Sequence, residues 1–169
     1  MPVWSTVHAF GDHEEPARRL AEALGSEFRR IELRRFPDGE SLVRTAPEAG
    51  AAVLYCSLDH PNDRLVDLLL ASSALRDSGV RSIVLVAPYL CYMRQDVAFQ
   101  PGEAVSQKVV ARLLSDAFDR LVTVDPHLHR THDLNSVFSI PVTQLSAAPL
   151  LGRAITANNA GKDAVLVGP

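Results

Sequence analysis

Apolar and polar positions along the chain follow two alternating rhythms. Residues 51–58, 82–88 and 121–124 are short, mostly apolar runs, the pattern of strands buried on both faces. Residues 3–10 and 164–167 read as further strands. Between these runs, apolar residues recur at helical spacing. Over residues 14–24, Ala17, Leu20, Ala21 and Leu24 fall on one stripe, which Gly25 stops. Pro61 opens a second helix at the position where a missing N–H costs nothing. Leu65, Leu68, Leu69 and Leu75 form its inner stripe with the small Ser72, and Gly79 ends it. Residues 103–118 predict a third helix, and residues 145–157 include a fourth. Residues 28–36 alternate charged and apolar side chains, predicting one half-exposed strand. The turn Pro37-Asp38-Gly39 breaks it, and residues 40–45 return as its hairpin partner.

Buried strands separated by amphipathic helices of this length imply βαβ crossovers and a parallel sheet. The expected fold class is a doubly wound α/β domain with a hairpin near its N-terminus. Of the 169 residues, 47% are hydrophobic, enough for a core without disulfide or metal staples. Cys56 and Cys91 sit in or beside apolar runs, which predicts buried free thiols rather than a disulfide framework. The formal charge of −3 offers no basic excess for nucleic acid or a membrane surface. Positive charge is nearly all arginine, with Lys108 and Lys162 the two lysines. Met1-Pro2-Val3-Trp4 lacks a basic region followed by an apolar stretch, and no apolar run is long enough to span a bilayer. A cytoplasmic protein is expected.

Open parallel sheets bind ligands at the carboxyl ends of their strands. Three polar segments are candidates. In Arg35-Phe36-Pro37-Asp38-Gly39-Glu40, turn chemistry alone explains Asp38-Gly39 but not an aromatic ring and a carboxylate framing the turn. Phe36 can stack on a base, and the carboxylates can accept from an amino group or ribose hydroxyls. The second segment, Tyr92-Met93-Arg94-Gln95-Asp96, follows a buried strand and supplies a phosphate fork, an amide and an acceptor together. A surface salt bridge would also account for Arg94 and Asp96. Residues 99–103 then lead into a helix whose N-terminal N–H groups favour anions. The third, Asp125-Pro126-His127-Leu128-His129-Arg130, again follows a buried strand. In extended chain Asp125 and His127 point to the same side, so their pairing would orient the imidazole. Magnesium prefers oxygen ligands, and no third ligand stands at zinc-site spacing. His129 and His132 are further candidates.

In order and spacing, these segments resemble the ribose-phosphate pyrophosphokinase family. The matching pieces are residues 35–40, Pro61-Asn62-Asp63, Pro88-Tyr89, Tyr92 to Asp96, Val124-Asp125-Pro126-His127 and Phe138-Ser139-Ile140-Pro141-Val142. Their joint occurrence is specific although no single motif is. The resemblance implies two phosphoribosyltransferase-like domains. Residues 1–150 would form the first, ATP-side domain, and residues 151–169 the start of a second whose remainder is absent. It implies ATP contacts at Phe36, Asp38, Gly39 and Glu40, reaching the adenine end from a neighbouring subunit. It also implies contacts at Arg94, Gln95 and Asp96, and Mg²⁺ at His127 with Asp125 beside it. The implied reaction moves pyrophosphate from ATP to ribose 5-phosphate, in a homodimer or homohexamer. The implied catalytic loop lies outside these residues, so no catalytic residue is assigned.

Two positions depart from the family pattern. Ser139 and Thr143 stand where acidic residues often flank Ile-Pro-Val, and the loop after His127 carries the extra His129, Arg130 and His132. A non-catalytic associated subunit is the alternative reading, against which Arg94, Gln95, Asp96 and His127 all argue. A phosphoribosyltransferase would need an acidic pair and a Gly/Thr-rich phosphate loop after a strand. No such segment occurs in the sequence.

Overall fold

A computed structural model describes residues 6–157. Six parallel strands form one sheet in the order β2-β1-β5-β6-β7-β8, and β3 and β4 form a separate two-stranded sheet. The strands of the large sheet are β1 (Thr6–Ala9), β2 (Glu27–Arg30), β5 (Gly50–Tyr55), β6 (Val80–Ala87), β7 (Arg120–Val124) and β8 (Val142–Leu145). The hairpin is β3 (Glu32–Arg35) and β4 (Ser41–Arg44), paired antiparallel with Arg35 opposite Ser41. The helices are α1 (Glu14–Leu24), α2 (Pro61–Ser78), α3 (Ser106–Ala117) and α4 (Ala148–Ala157).

The sheet grows outward from β1 in both directions, so the connections must cover opposite faces to keep right-handed crossovers. Ala17 and Ala21 of α1 pack on Val7, Ala9, Val53 and Val84 on one face. Leu68 and Leu75 of α2 and Leu114 of α3 pack on Leu54, Leu85 and Leu121 on the other. Gly25 and Gly79 close α1 and α2 with φ of 64° and 110°, a left-handed conformation that glycine adopts without strain. The doubly wound reading therefore holds, as do the helix starts and stops of α1 and α2.

The structure corrects the expectation of one strand over residues 28–36. Ile31 N–H still bonds Ala9 O at 2.8 Å, but beyond it the chain leaves the large sheet and enters the hairpin. Ile31 is buried in the core at this break. Unbroken alternation cannot reveal that a chain changes sheets, because both strands keep the same two-residue period. The third helix begins at Ser106 rather than residue 103, since residues 101 and 102 form a turn. The strand expected at residues 164–167, and residues 3–5 of the first expected strand, lie outside the described residues. The helix α4 runs across position 150. No helix among the described residues is long and apolar enough to cross a membrane.

Candidate functional site

A cavity of about 410 Å³ opens at the carboxyl ends of β5, β6 and β7. Its walls come from three connections. Leu58 and Asp59 follow β5, Tyr89 to Gln95 follow β6, and His127 follows β7, with Asn62 and Ser106 at the starts of α2 and α3. Backbone bonds fix the middle wall on both sides. Leu58 N–H donates to Tyr89 O at 3.0 Å, and Val124 N–H donates to Pro88 O at 3.2 Å. A loop tied to both neighbouring strands holds its side chains in register with the sheet.

Arg94 and His127 thus line one cavity although 33 residues of chain, counted from their numbers, separate them. Arg94 is exposed and forms no ion pair with any described residue. A guanidinium that no described residue neutralises is available for a ligand's phosphate oxygens. Gln95 is anchored: its Oε1 accepts from Ser106 Oγ at 3.2 Å, and its carbonyl accepts from Gln107 N–H at 3.3 Å. Tyr92, with φ of 59°, holds a backbone conformation unusual for a bulky residue, and its hydroxyl bonds Asn62 Oδ1. Tyr92 and Asn62 belong to the family-like segments without an assigned role, and Asp59 on the cavity wall carries no sequence expectation. Its place after a buried strand, before a helix start, was the signal.

Asp96 does not line this cavity. It is almost fully buried, and its carboxylate accepts from Arg130 N–H at 3.1 Å and Arg130 Nη1 at 2.8 Å. Burial pushes its pKa up, but the two Arg130 hydrogen bonds and the Arg130 charge outweigh that and hold it below the usual value. Asp96 therefore clamps the loop carrying His127 to the loop carrying Arg94. The expected Asp125–His127 pair does not form. Asp125 takes φ of 40°, and its Oδ2 accepts from Ala147 N–H at 2.9 Å. Same-side geometry at a two-residue interval needs extended backbone, which Asp125 does not supply. His127 Nε2 instead lies 2.9 Å from His129 Nε2, one ring donating and the other accepting. His132 is exposed.

No group of three His, Cys, Asp or Glu side chains among the described residues could hold a metal ion. Magnesium usually takes one or two protein ligands and fills its remaining positions with water and substrate phosphates. His127 at the cavity wall, with Asp125 Oδ1 left over nearby in sequence, fits a cation carried in on a polyphosphate and not a protein-built cage.

The hairpin turn lies apart from this cavity. Phe36, Asp38, Gly39 and Glu40 contribute nothing to its lining. Phe36 N–H bonds Glu40 O at 2.8 Å, Gly39 N–H bonds Phe36 O at 2.9 Å, and Asp38 Oδ1 accepts from Glu40 N–H at 3.1 Å. The Arg34 guanidinium sits 5.5 Å from the Phe36 ring centroid. Asp38 and Gly39, with φ of 94°, are thus accounted for by the turn itself. Gly39 and Glu40 instead line another, smaller hollow of about 360 Å³ against α2. Cys56 and Cys91 are buried free thiols, and burial pushes their pKa values up to about 12 and about 11. Cys91 touches the cavity, yet as a thiol it is inert near neutral pH.

Residues 6–117 match the family described as the N-terminal domain of ribose phosphate pyrophosphokinase. The chain belongs to the ribose-phosphate pyrophosphokinase family. A relative of that name from Methanopyrus kandleri is 42% identical over 154 residues, which cover 90% of this chain and 52% of the relative. Another, ribose-phosphate pyrophosphokinase 2 of Archaeoglobus fulgidus, is 39% identical over 153 residues, covering 90% and 51%. The crystal structure of phosphoribosylpyrophosphate synthetase from Mycobacterium smegmatis matches with a TM-score of 0.76 and 29% identity, over 92% of this chain and 53% of that one. The chain spans about half the length of the pyrophosphokinases it matches.

Proposed function

We propose that this chain is the ATP-side half of a ribose-phosphate diphosphokinase. The observation that carries the proposal is the meeting of unpaired Arg94, anchored Gln95 and His127 on one cavity at the strand ends. The triphosphate lies against Arg94, whose fork matches two phosphate oxygens. The Gln95 amide adds a neutral contact. A magnesium ion bound with the nucleotide would offset charge on the phosphates, with His127 and Asp125 as its protein ligands. Asp96 acts one step away, by holding the His127 loop in place.

In the transfer, the 1-hydroxyl oxygen of ribose 5-phosphate bonds the β-phosphorus. The bond from that phosphorus to the α–β bridging oxygen breaks, AMP leaves, and the hydroxyl proton passes to solvent or base. This chain's part is positioning and charge stabilisation. The hairpin turn contributes no residue to the lining of its own cavity, which supports a role at the nucleotide of a neighbouring copy in a dimer or larger ring. Phe36 would stack on the adenine, and Glu40 would accept from its amino group or from ribose. These residues span about half the length of the pyrophosphokinases they match, so on their own they are expected to bind nucleotide without turnover.

Titration with a non-hydrolysable ATP analogue and Mg²⁺ tests the reading. Binding that Arg94→Ala and His127→Ala each weaken supports it. Equal affinity in wild type and both variants sinks it. Release of AMP from ATP and ribose 5-phosphate by the isolated chain would overturn the half-site assignment.

A further inference from the structure

The hairpin stands outside the large sheet, and a lone two-stranded ribbon is marginal in water. Something other than strand pairing must set where its turn points. Leu33 and Val43 lean on the core from one side of the ribbon. Those contacts are apolar and permit sliding. A directional tie comes from α2. Asp67, three helical turns short of the α2 C-terminus, is wholly inaccessible to solvent. Its Oδ1 accepts from Ser41 Oγ at 2.6 Å, and its Oδ2 accepts from Arg35 Nη2 at 2.9 Å. Arg35 Nη1 also bonds Ser41 Oγ, and Arg64 Nη1 lies 3.7 Å from Asp67 Oδ2. Arg35 and Ser41 face each other across the last pair of the hairpin ladder, at the base of the 36–40 turn.

A carboxylate buried in a helix is costly unless paired and hydrogen-bonded. Here both oxygens are matched to the two residues that open and close the turn. We propose that Asp67 is the positioning residue for the hairpin tip, fixing the direction in which Phe36 and Glu40 are presented to a nucleotide held by a second copy of the chain. This deepens the ATP-side reading and, for its nucleotide consequence, rests on it. Asp67 touches no ligand; it acts through Arg35 and Ser41.

Asp67→Asn keeps the shape but turns an acceptor into a donor facing the Arg35 guanidinium. Ser41→Ala is the gentler variant, should the first not fold. Hydrogen exchange at the Phe36, Gly39 and Glu40 amides is read first. Exchange about tenfold faster in either variant, with the β5 and β6 amides unchanged, is expected. Unchanged exchange at the turn overturns the proposal, whether or not nucleotide binds. The second readout compares an ATP analogue with inorganic tripolyphosphate, both with Mg²⁺. The variants are expected to lose about tenfold for the analogue and nothing for tripolyphosphate, because the tip meets the base and Arg94 meets the phosphates. Equal losses for both ligands would mean general destabilisation and would also overturn the proposal. A wild-type protein that binds neither ligand would sink the ATP-side reading, while the exchange result still decides the role of Asp67.

Discussion

The cavity at the strand ends and the hairpin turn are both rich in polar residues, yet they use them differently. In the turn, Asp38 caps the Glu40 amide, Gly39 supplies the positive φ, and the Arg34 guanidinium lies near Phe36. Local geometry consumes most of what the turn residues offer. In the cavity, the Arg94 guanidinium has no ionic partner within the described residues, and the tyrosine beside it, Tyr92, holds a strained backbone. Residues that folding leaves unused, or holds at a cost, are stronger signs of a ligand than residues that folding employs.

Several substitutions would break or sharpen that contrast. The largest effect is expected from Leu85→Ala in β6, whose side chain is fully buried behind the cavity loop. Urea melts should show a loss of about 3 kcal/mol, and both regions should fail together. Arg94→Ala should leave that stability nearly unchanged while costing about 2 kcal/mol in binding of a Mg²⁺-bound ATP analogue by calorimetry. Mixing equal amounts of Asp67→Asn and Arg94→Ala proteins should restore about a quarter of the high-affinity sites if hairpin and cavity come from different copies of a two-fold assembly. No restoration would place both on one subunit. Gly39→Ala must bring a side chain to φ of 94°, so a loss of about 1 kcal/mol is expected, confined to the turn.

The smallest expected effect concerns acid. His8 is fully buried on β1, with Nε2 3.0 Å from both Thr6 Oγ1 and Glu48 Oε2 and with no partner for Nδ1 among the described residues. Burial lowers its pKa below 6.5, outweighing the hydrogen bond and charge of Glu48, which raise it. The unfolded chain then takes up this proton first, so stability falls as pH drops from about 6.5 toward the lower folded value. His8→Asn should flatten that part of the pH–stability curve without altering nucleotide affinity. Thermal melts between neutral and mildly acidic pH, run with and without the Mg²⁺-bound ATP analogue, check both statements.

Much of the sheet was legible because its inner strands are continuous apolar runs and its first two helices carry glycine stops. The sheet change at Ile31 was not, since alternation persists through the break. For the site, position after buried strands makes Arg94, Gln95 and His127 candidates, the family resemblance supplies their expected roles, and the structure brings all three to one cavity. The tie of Asp96 to Arg130 was not legible, because its partner lies in a different loop, 34 residues on by number. The Asp125 geometry was misread because a positive φ at a non-glycine residue leaves no mark in composition. The buried Asp67 went unnoticed for a related reason. An acidic residue in an amphipathic helix looks like part of its wet side until the hairpin is laid over it.

The tie between Asp96 and Arg130 has one more effect. It joins two walls of the cavity into a single jaw, set before any ligand arrives. A nucleotide entering such a preformed mouth spends little of its affinity on ordering loops. Because the Asp96 pKa is depressed, the jaw keeps its hold above the ordinary carboxylate value of 3.8 and releases only as acidity passes the lower folded value. The tie between the two loops should therefore persist into acid that already weakens the fold around His8.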